Sequence, residues 1–188
     1  MNTPNKLTTI RMILAPVFLF AYLAEFIPHR FIFATVIFAV ASITDAIDGK
    51  YARKHNQITI YGKLADPVAD KMLTTAALLA FMNDGICNIW ILMVILTREF
   101  AVTSVRLVAS AQGVVIPANI WGKVKTATQM IFTVIILILR ILSEFSDAVN
   151  ALPMSIICNS MFAVTAVLAV ISGIIYIRNA SEVINITM

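Results

Sequence analysis

Residues 31–84 read FIFATVIFAVASITDAIDGKYARKHNQITIYGKLADPVADKMLTTAALLAFMND. Two apolar runs, 31–53 and 64–84, flank a polar stretch from Lys54 to Gly62. Each run is near the roughly 20 residues a helix needs to cross a bilayer. Yet they carry four aspartates, and ionisable groups inside such runs are costly and usually functional. Asp45 and Asp48 are three apart and share one face of a helix, and Asp66 and Asp70 are four apart and share a face of the next. The two helices are expected to be antiparallel neighbours across a short loop. Asp45 lies 14 residues from Phe31 and Asp70 lies 14 residues from Asp84. At about 1.5 Å per residue, both sit roughly 21 Å in from the same membrane surface and meet at one depth. Arg11 is likewise 14 residues from Glu25, so a first helix brings a cation to that level.

The rest of the chain repeats the apolar pattern. Of 188 residues, 60% are hydrophobic and 13% charged, about half the charged fraction of soluble domains, and mean hydropathy is +0.91. Apolar segments at 7–25, 31–53, 64–84, 87–110, 119–143 and 153–178 predict an all-α integral membrane protein with six transmembrane helices. The length suits one domain, 1–188, with no linker or repeat dividing it. Twelve of the 14 Lys and Arg residues fall toward the side of the termini, and only Arg30 and Arg140 fall toward the other. The positive-inside rule therefore expects both termini in the cytosol and the multi-pass chain in the cell membrane. A net charge of +4 concentrated on that face suits anionic headgroups and phosphorylated substrates. Nucleic acid is a poor partner, since no basic soluble module exists to bind it. Lys6 and Arg11 before an apolar run mimic a signal peptide, but no small-x-small cleavage site follows, and retention is expected. Cys87 and Cys158 have no metal-ligand spacing and are expected as free thiols.

Four carboxylates at one depth repel one another. Protonation relieves this, and so does binding one or two hard cations. Without His or Cys, the donor set selects Mg²⁺, Mn²⁺ or Ca²⁺ over Zn²⁺. Two such ions bridge a diphosphate well. Gly49 and Ala52 share the face of Asp45 and Asp48 and leave space for a ligand, with Arg53 next to them able to pair with phosphate. Gly62 precedes Asp66 by one turn, and Pro67 fits the first turn of a helix. A structural polar network and an ion-coupled transporter are the competing readings. Uncompensated carboxylates stabilise nothing at that depth, and the chain shows no inverted repeat of the kind many transporters carry.

The whole pattern, Asp45-x2-Asp48-Gly49-x2-Ala52-Arg53-x8-Gly62-x3-Asp66-x3-Asp70, resembles the complete signature of the CDP-alcohol phosphotransferase family. The resemblance implies that family's six-helix fold, usually homodimeric, and displacement of CMP from a CDP-linked donor by an alcohol. It also implies that Asp45 and Asp66 bridge two divalent ions, Mg²⁺ or Mn²⁺. Asp48 completes one ion site and Asp70 the other, and Asp70 is the general base. Gly49, Arg53 and Thr59 contact the CDP moiety, with Ala52 and Gly62 belonging to the same donor-binding motif. Outside the signature, Pro4-Asn5-x-Leu7-Thr8-x2-Arg11, Thr97-Arg98-Glu99-Phe100, Arg106-Leu107 and Gly122-Lys123-x-Lys125-Thr126-x2-Gln129 resemble motifs of the bacterial phosphatidylglycerophosphate synthases within that family. By that resemblance Thr8 to Arg11 help hold the donor diphosphate. The implied substrates are CDP-diacylglycerol, anchored in the bilayer, and sn-glycerol 3-phosphate from the cytosol. Transfer to inositol phosphate or serine, or cardiolipin synthesis, is the alternative within the family.

Read without the family, Arg98, Arg106, Lys123 and Lys125 are cations recurring at one level, suited to an acceptor phosphate. Snorkelling to headgroups competes with that reading and is favoured for Lys63. Glu99 is expected to orient a nearby arginine. His29 and His55 have no plausible ligand partner and are expected to be solvated, and Trp90 and Trp121 to sit at span ends. The orientation is testable in intact cells. A cysteine placed at His55 should be protected from an impermeant maleimide until the cells are opened, and labelling from outside would reverse the topology.

Overall fold

The computed structural model describes residues 3–55, 60–112 and 119–181, with side chains within 5–44, 65, 68–110, 112 and 119–181. Six long helices of 21 to 28 residues account for almost all of it. They are α1 (Thr3–Leu23), α2 (Arg30–His55), α3 (Ile60–Asn83), α4 (Ile89–Ala111), α5 (Ile120–Phe145) and α7 (Met154–Ser181), with a four-residue α6 (Asp147–Asn150) before the last. Each falls on one of the apolar segments read from the sequence. Among the described residues, three stretches are long and apolar enough to cross a membrane: Asn5–Leu23, Ile120–Phe145 and Met154–Ser181. A shorter apolar stretch, Arg30–Thr44, opens α2. α4 is interrupted by Arg98, Glu99 and Arg106.

Local chemistry sets the helix starts. Asn88 and Asn119 each accept a hydrogen bond from the backbone N–H two residues on, at Trp90 (2.9 Å) and Trp121 (3.1 Å), satisfying an otherwise orphaned donor. Both tryptophans stand exposed in the first turn, where interfacial aromatics are expected. Gly85 makes the turn after α3 with a positive φ of 71°, which glycine adopts without penalty.

The chain forms two compact units. The first comprises Met1–Asp84 and Val134–Leu152, the second Gly85–Thr133 and Pro153–Met188. In the first, α1 packs along both α2 and α3, while α2 and α3 meet only sparsely among the described residues. Phe18 and Tyr22 of α1 meet Phe38 (5.7 Å) and Phe31 (5.0 Å) of α2, and Tyr22 also meets Phe81 of α3 (5.8 Å). Alanines at 34, 41, 69, 77 and 80 are fully buried; small residues let helix backbones approach closely where no hydrophobic drive separates helix from lipid. The opposite faces are exposed and apolar, with Ile13 and Phe20 on α1 and Phe33 and Val36 on α2. Aliphatic side chains outside and polar groups inside describe a chain dissolved in lipid.

One polar network lies inside this unit. The Tyr22 hydroxyl donates to Asp84 Oδ2 at 2.7 Å, and Arg140 Nη2 donates to the same oxygen at 2.6 Å. The Arg140 guanidinium lies 4.5 Å from the centroid of Phe31. α1, α2, the end of α3 and the second half of α5 are joined at one charge. Nearby, His29 stacks on Phe145 (ring centroids 5.2 Å apart) with Nδ1 3.4 Å from Glu144. It remains exposed to solvent, as expected of its loop position. Arg30 lies 3.7 Å from Glu25.

In the second unit, α4 packs against α7. Leu92, Ile95, Val102 and Ala109 are buried on α4, and Cys158, Phe162, Thr165, Ala169 and Tyr176 on α7. Cys87 and Cys158 are buried free thiols, as expected. Asn159 Oδ1 accepts from the Asn88 backbone N–H at 2.6 Å, and Ser155 Oγ donates to the Gly85 carbonyl at 3.1 Å. These bonds hold the start of α7 to the start of α4.

The Asp84 network should dominate the stability of the first unit. Arg140→Ala leaves Asp84 partly buried with only the tyrosine, and should cost about 2 kcal/mol as lost hydrogen bonds to a charged group. Tyr22→Phe should cost about 1 kcal/mol. Thermal unfolding of detergent-solubilised protein measures both, and a smaller loss for Arg140→Ala than for Tyr22→Phe would contradict the network.

Candidate active site

The buried stripe of α1 changes character along its length. Ala15, Phe18 and Tyr22 form the apolar half, and Asn5, Thr8 and Arg11, at the same three- and four-residue spacing, form a polar half. Arg11 is 2% exposed. A guanidinium at such a position is retained only where neighbours meet it, and Asn5, Thr8 and Arg11 are each engaged by a neighbour. Thr9 Oγ1 donates to the Asn5 carbonyl at 2.9 Å. Thr8 and Arg11, assigned to the donor by resemblance, thus lie on the side of α1 that packs into the first unit.

α2 and α3, which carry the four aspartates, both pack along α1. The buried positions Phe31, Ala34, Phe38 and Ala41 continue in register to 45, 48 and 52, and α2 stays helical through His55. On α3, buried Ala69, Leu73, Ala76 and Ala80 extend back to position 66. Asp70 stands exposed and is engaged by a neighbour. The side chains of Asp45, Asp48, Gly49, Ala52, Arg53, Gly62 and Asp66 lie outside the described side chains, and Thr59 lies outside the described residues. An all-carboxylate donor set fits hard divalent cations. Among the described residues no cluster of three or more His, Cys, Asp or Glu competes with it.

The second unit gathers the cations. Lys125 is fully buried; it pairs with Glu99 Oε1 and donates to Gln129 Oε1 at 2.5 Å. Arg98 Nη1 lies 3.5 Å from the same Glu99 oxygen. Glu99 therefore orients an arginine, as expected, and also neutralises Lys125, which the sequence reading assigned to the acceptor phosphate alone. The stem of Arg98 forms part of an apolar groove of about 330 Å³ between α4 and α7. Arg98 Nε is buried and makes no hydrogen bond among the described residues. Arg106 is exposed above the Tyr176 ring, 5.8 Å from its centroid. Lys123 is exposed on the first turn of α5. Two exposed cations and one half-met arginine form a set able to receive a phosphate.

Sequence reading missed the Asp84–Arg140 pair, having taken Asp84 as punctuation and Arg140 as an outer charge. The available signal was position: an arginine late in an otherwise apolar helix requires a partner. Gly173 and Tyr176 of α7 were missed for a different reason. Neither residue type announces chemistry.

A family model described as CDP-alcohol phosphatidyltransferase matches residues 1–180. The chain is 43% identical over 141 residues to the CDP-diacylglycerol–glycerol-3-phosphate 3-phosphatidyltransferase of Bacillus subtilis (strain 168), covering 69% of this chain and 73% of that protein. It is 36% identical over 181 residues to a probable phosphatidylglycerophosphate synthase of Mycobacterium tuberculosis (strain H37Rv), covering 95% and 81%. A Rickettsia bellii protein, also named as a CDP-diacylglycerol–glycerol-3-phosphate 3-phosphatidyltransferase, is 31% identical over 177 residues, covering 94% of each.

The Glu99–Lys125 pair makes a separable prediction. Glu99→Gln leaves a buried ammonium without its carboxylate and should destabilise the protein by about 3 kcal/mol. Adding Lys125→Met should restore much of that loss, because the fully buried ammonium is gone and only Arg98 is left without the carboxylate. Unfolding midpoints of the three variants in detergent decide it, and additive losses would refute the pairing.

Proposed function

Because the chain belongs to the CDP-alcohol phosphatidyltransferase family, we propose that it transfers the phosphatidyl group of CDP-diacylglycerol to sn-glycerol 3-phosphate, yielding phosphatidylglycerophosphate and CMP. The observation that carries this reading is the complete Asp45–Asp70 signature on two helices that both pack along α1, the helix that buries Asn5, Thr8 and Arg11. The names of the relatives, which specify glycerol 3-phosphate, support the choice of acceptor.

The reaction forms a bond from an acceptor hydroxyl oxygen to the phosphatidyl phosphorus and breaks that phosphorus's bond to the oxygen of CMP. Asp70 takes the hydroxyl proton; its exposure leaves it open to an entering alcohol. Thr8, Arg11, Gly49, Ala52, Arg53, Thr59 and Gly62 bind the CDP donor, with the arginines meeting diphosphate charge. Arg98, Arg106, Lys123 and Lys125 serve the acceptor phosphate, Lys125 through its pairing with Glu99. Asp45, Asp48, Asp66 and Asp70 would hold two divalent ions, Mg²⁺ or Mn²⁺, which when bound neutralise the diphosphate and the departing CMP.

The protein works as one multi-pass membrane domain of six spans, both termini and the active site cytosolic, and as a homodimer. The three strongly apolar helices and the lopsided distribution of Lys and Arg support that placement. A donor whose acyl chains remain in the bilayer calls for a site at the depth of its headgroup.

Purified protein with CDP-diacylglycerol should release CMP with glycerol 3-phosphate in preference to inositol phosphate, serine or phosphatidylglycerol. Arg106→Ala or Lys123→Ala should raise KM for glycerol 3-phosphate about tenfold, the loss of one charge-assisted contact, and leave donor KM nearly unchanged. Asp45→Asn or Asp66→Asn should abolish turnover, and EDTA should stop it until Mg²⁺ or Mn²⁺ is returned. Preference for another acceptor would overturn the substrate assignment, and full activity after thorough chelation would overturn the metal assignment.

A further inference from the structure

No sequence motif assigns a role to α7, yet it carries the contacts that set both arginines of α4. A Cβ added at Gly173 would stand 3.0 Å from Arg98 Cγ. That is closer than carbon atoms approach without displacement, so Arg98 occupies its present path because position 173 has no side chain. Gly122 of α5 limits the other end, where an added Cβ would stand 3.4 Å from Arg98 Nη2. Glu99 supplies the charge that faces Nη1. The Arg98 stem is therefore fixed by a notch in α7 and its head by α5 and Glu99, with Nε left unbonded among the described residues.

One turn farther along α7, Tyr176 is 3% exposed with its ring under Arg106. The hydroxyl makes no hydrogen bond among the described residues, so the contact belongs to the ring face, at a distance suited to a cation–π attraction. Arg106 and Tyr176 both lie within electrostatic reach of Arg98. Residues 173 and 176 share one face of a helix, and each meets a different arginine.

We infer that Gly173 and Tyr176 are positioning residues for the acceptor phosphate: Gly173 seats Arg98 and Tyr176 supports Arg106. The inference rests on the reading of these arginines as ligands of the acceptor's phosphate. Neither α7 residue touches substrate; each acts through its arginine. Alanine at 173 would push the Arg98 stem by a few tenths of an ångström. Loss of the ring at 176 would release Arg106 to sample other rotamers. Both changes weaken phosphate capture and leave the donor untouched.

Two mutant cycles on purified protein test this, reading KM for glycerol 3-phosphate, KM for CDP-diacylglycerol and kcat. Gly173→Ala should raise acceptor KM about fivefold and have no further effect when Arg98→Ala is already present. Tyr176→Leu should raise it about threefold, Tyr176→Phe should retain wild-type KM, and the leucine effect should vanish in an Arg106→Ala background. The tyrosine cycle stands alone if Gly173→Ala does not fold. Increases that persist in full on the arginine-deleted backgrounds would mean general loss of packing and would overturn the inference. If Arg98→Ala and Arg106→Ala raise acceptor KM while the α7 variants do not, this inference falls and the acceptor reading stands. If the arginine variants themselves leave acceptor KM unchanged, both fall.

Discussion

The packing of α1 along both α2 and α3 is the contact on which the first unit depends. One stripe of α1 does two kinds of work. Its aromatic half, Phe18 and Tyr22, interlocks with Phe31, Phe38 and Phe81. Its polar half buries Asn5, Thr8 and Arg11. In lipid the hydrophobic effect cannot drive helix against helix, so close packing and internal polar contacts must hold the bundle. The buried alanines of α2 and α3 provide the first, and Tyr22, Asp84 and Arg140 provide the second. Register along α2 and α3 then carries positions 45, 48 and 66 onto stripes that begin among those packed residues. The costly carboxylate positions are thus carried by helices whose distant halves are closely packed.

The second unit resolves its charges by pairing. α4 carries Arg98, Glu99 and Arg106 through an otherwise apolar sequence, and α5 adds a fully buried Lys125. Glu99 meets Lys125 and Arg98 together, so one carboxylate lowers the cost of two cations. The cations left exposed, Arg106 and Lys123, are free of that internal duty. This division explains how positive charge persists in α4 and α5.

The chain belongs to the CDP-alcohol phosphatidyltransferase family, whose members are transferases. A family that takes a lipid-linked nucleotide must place carboxylates and cations where water-soluble and bilayer-bound reactants coexist. The apolar exteriors of α1 and α2 and the polar residues buried behind them fit that environment.

Hydropathy and spacing by themselves determined the six helical segments, since both are properties of local sequence. They also exposed the aspartate positions, because four carboxylates at helical spacing in apolar runs have few physical justifications. Arg98, Glu99 and Lys125 were legible for the same reason. Only the tertiary structure decided who meets whom. Asp84 is 62 residues from Tyr22 and 56 from Arg140. Glu99 meets Lys125 across 26 residues, and Gly173 meets Arg98 from another helix. Helical spacing relates positions a turn or two apart and is silent beyond that. Whether a buried charge is bound to a ligand or to a distant residue depends on which helices pack together, and that depends on side-chain shape summed over whole faces.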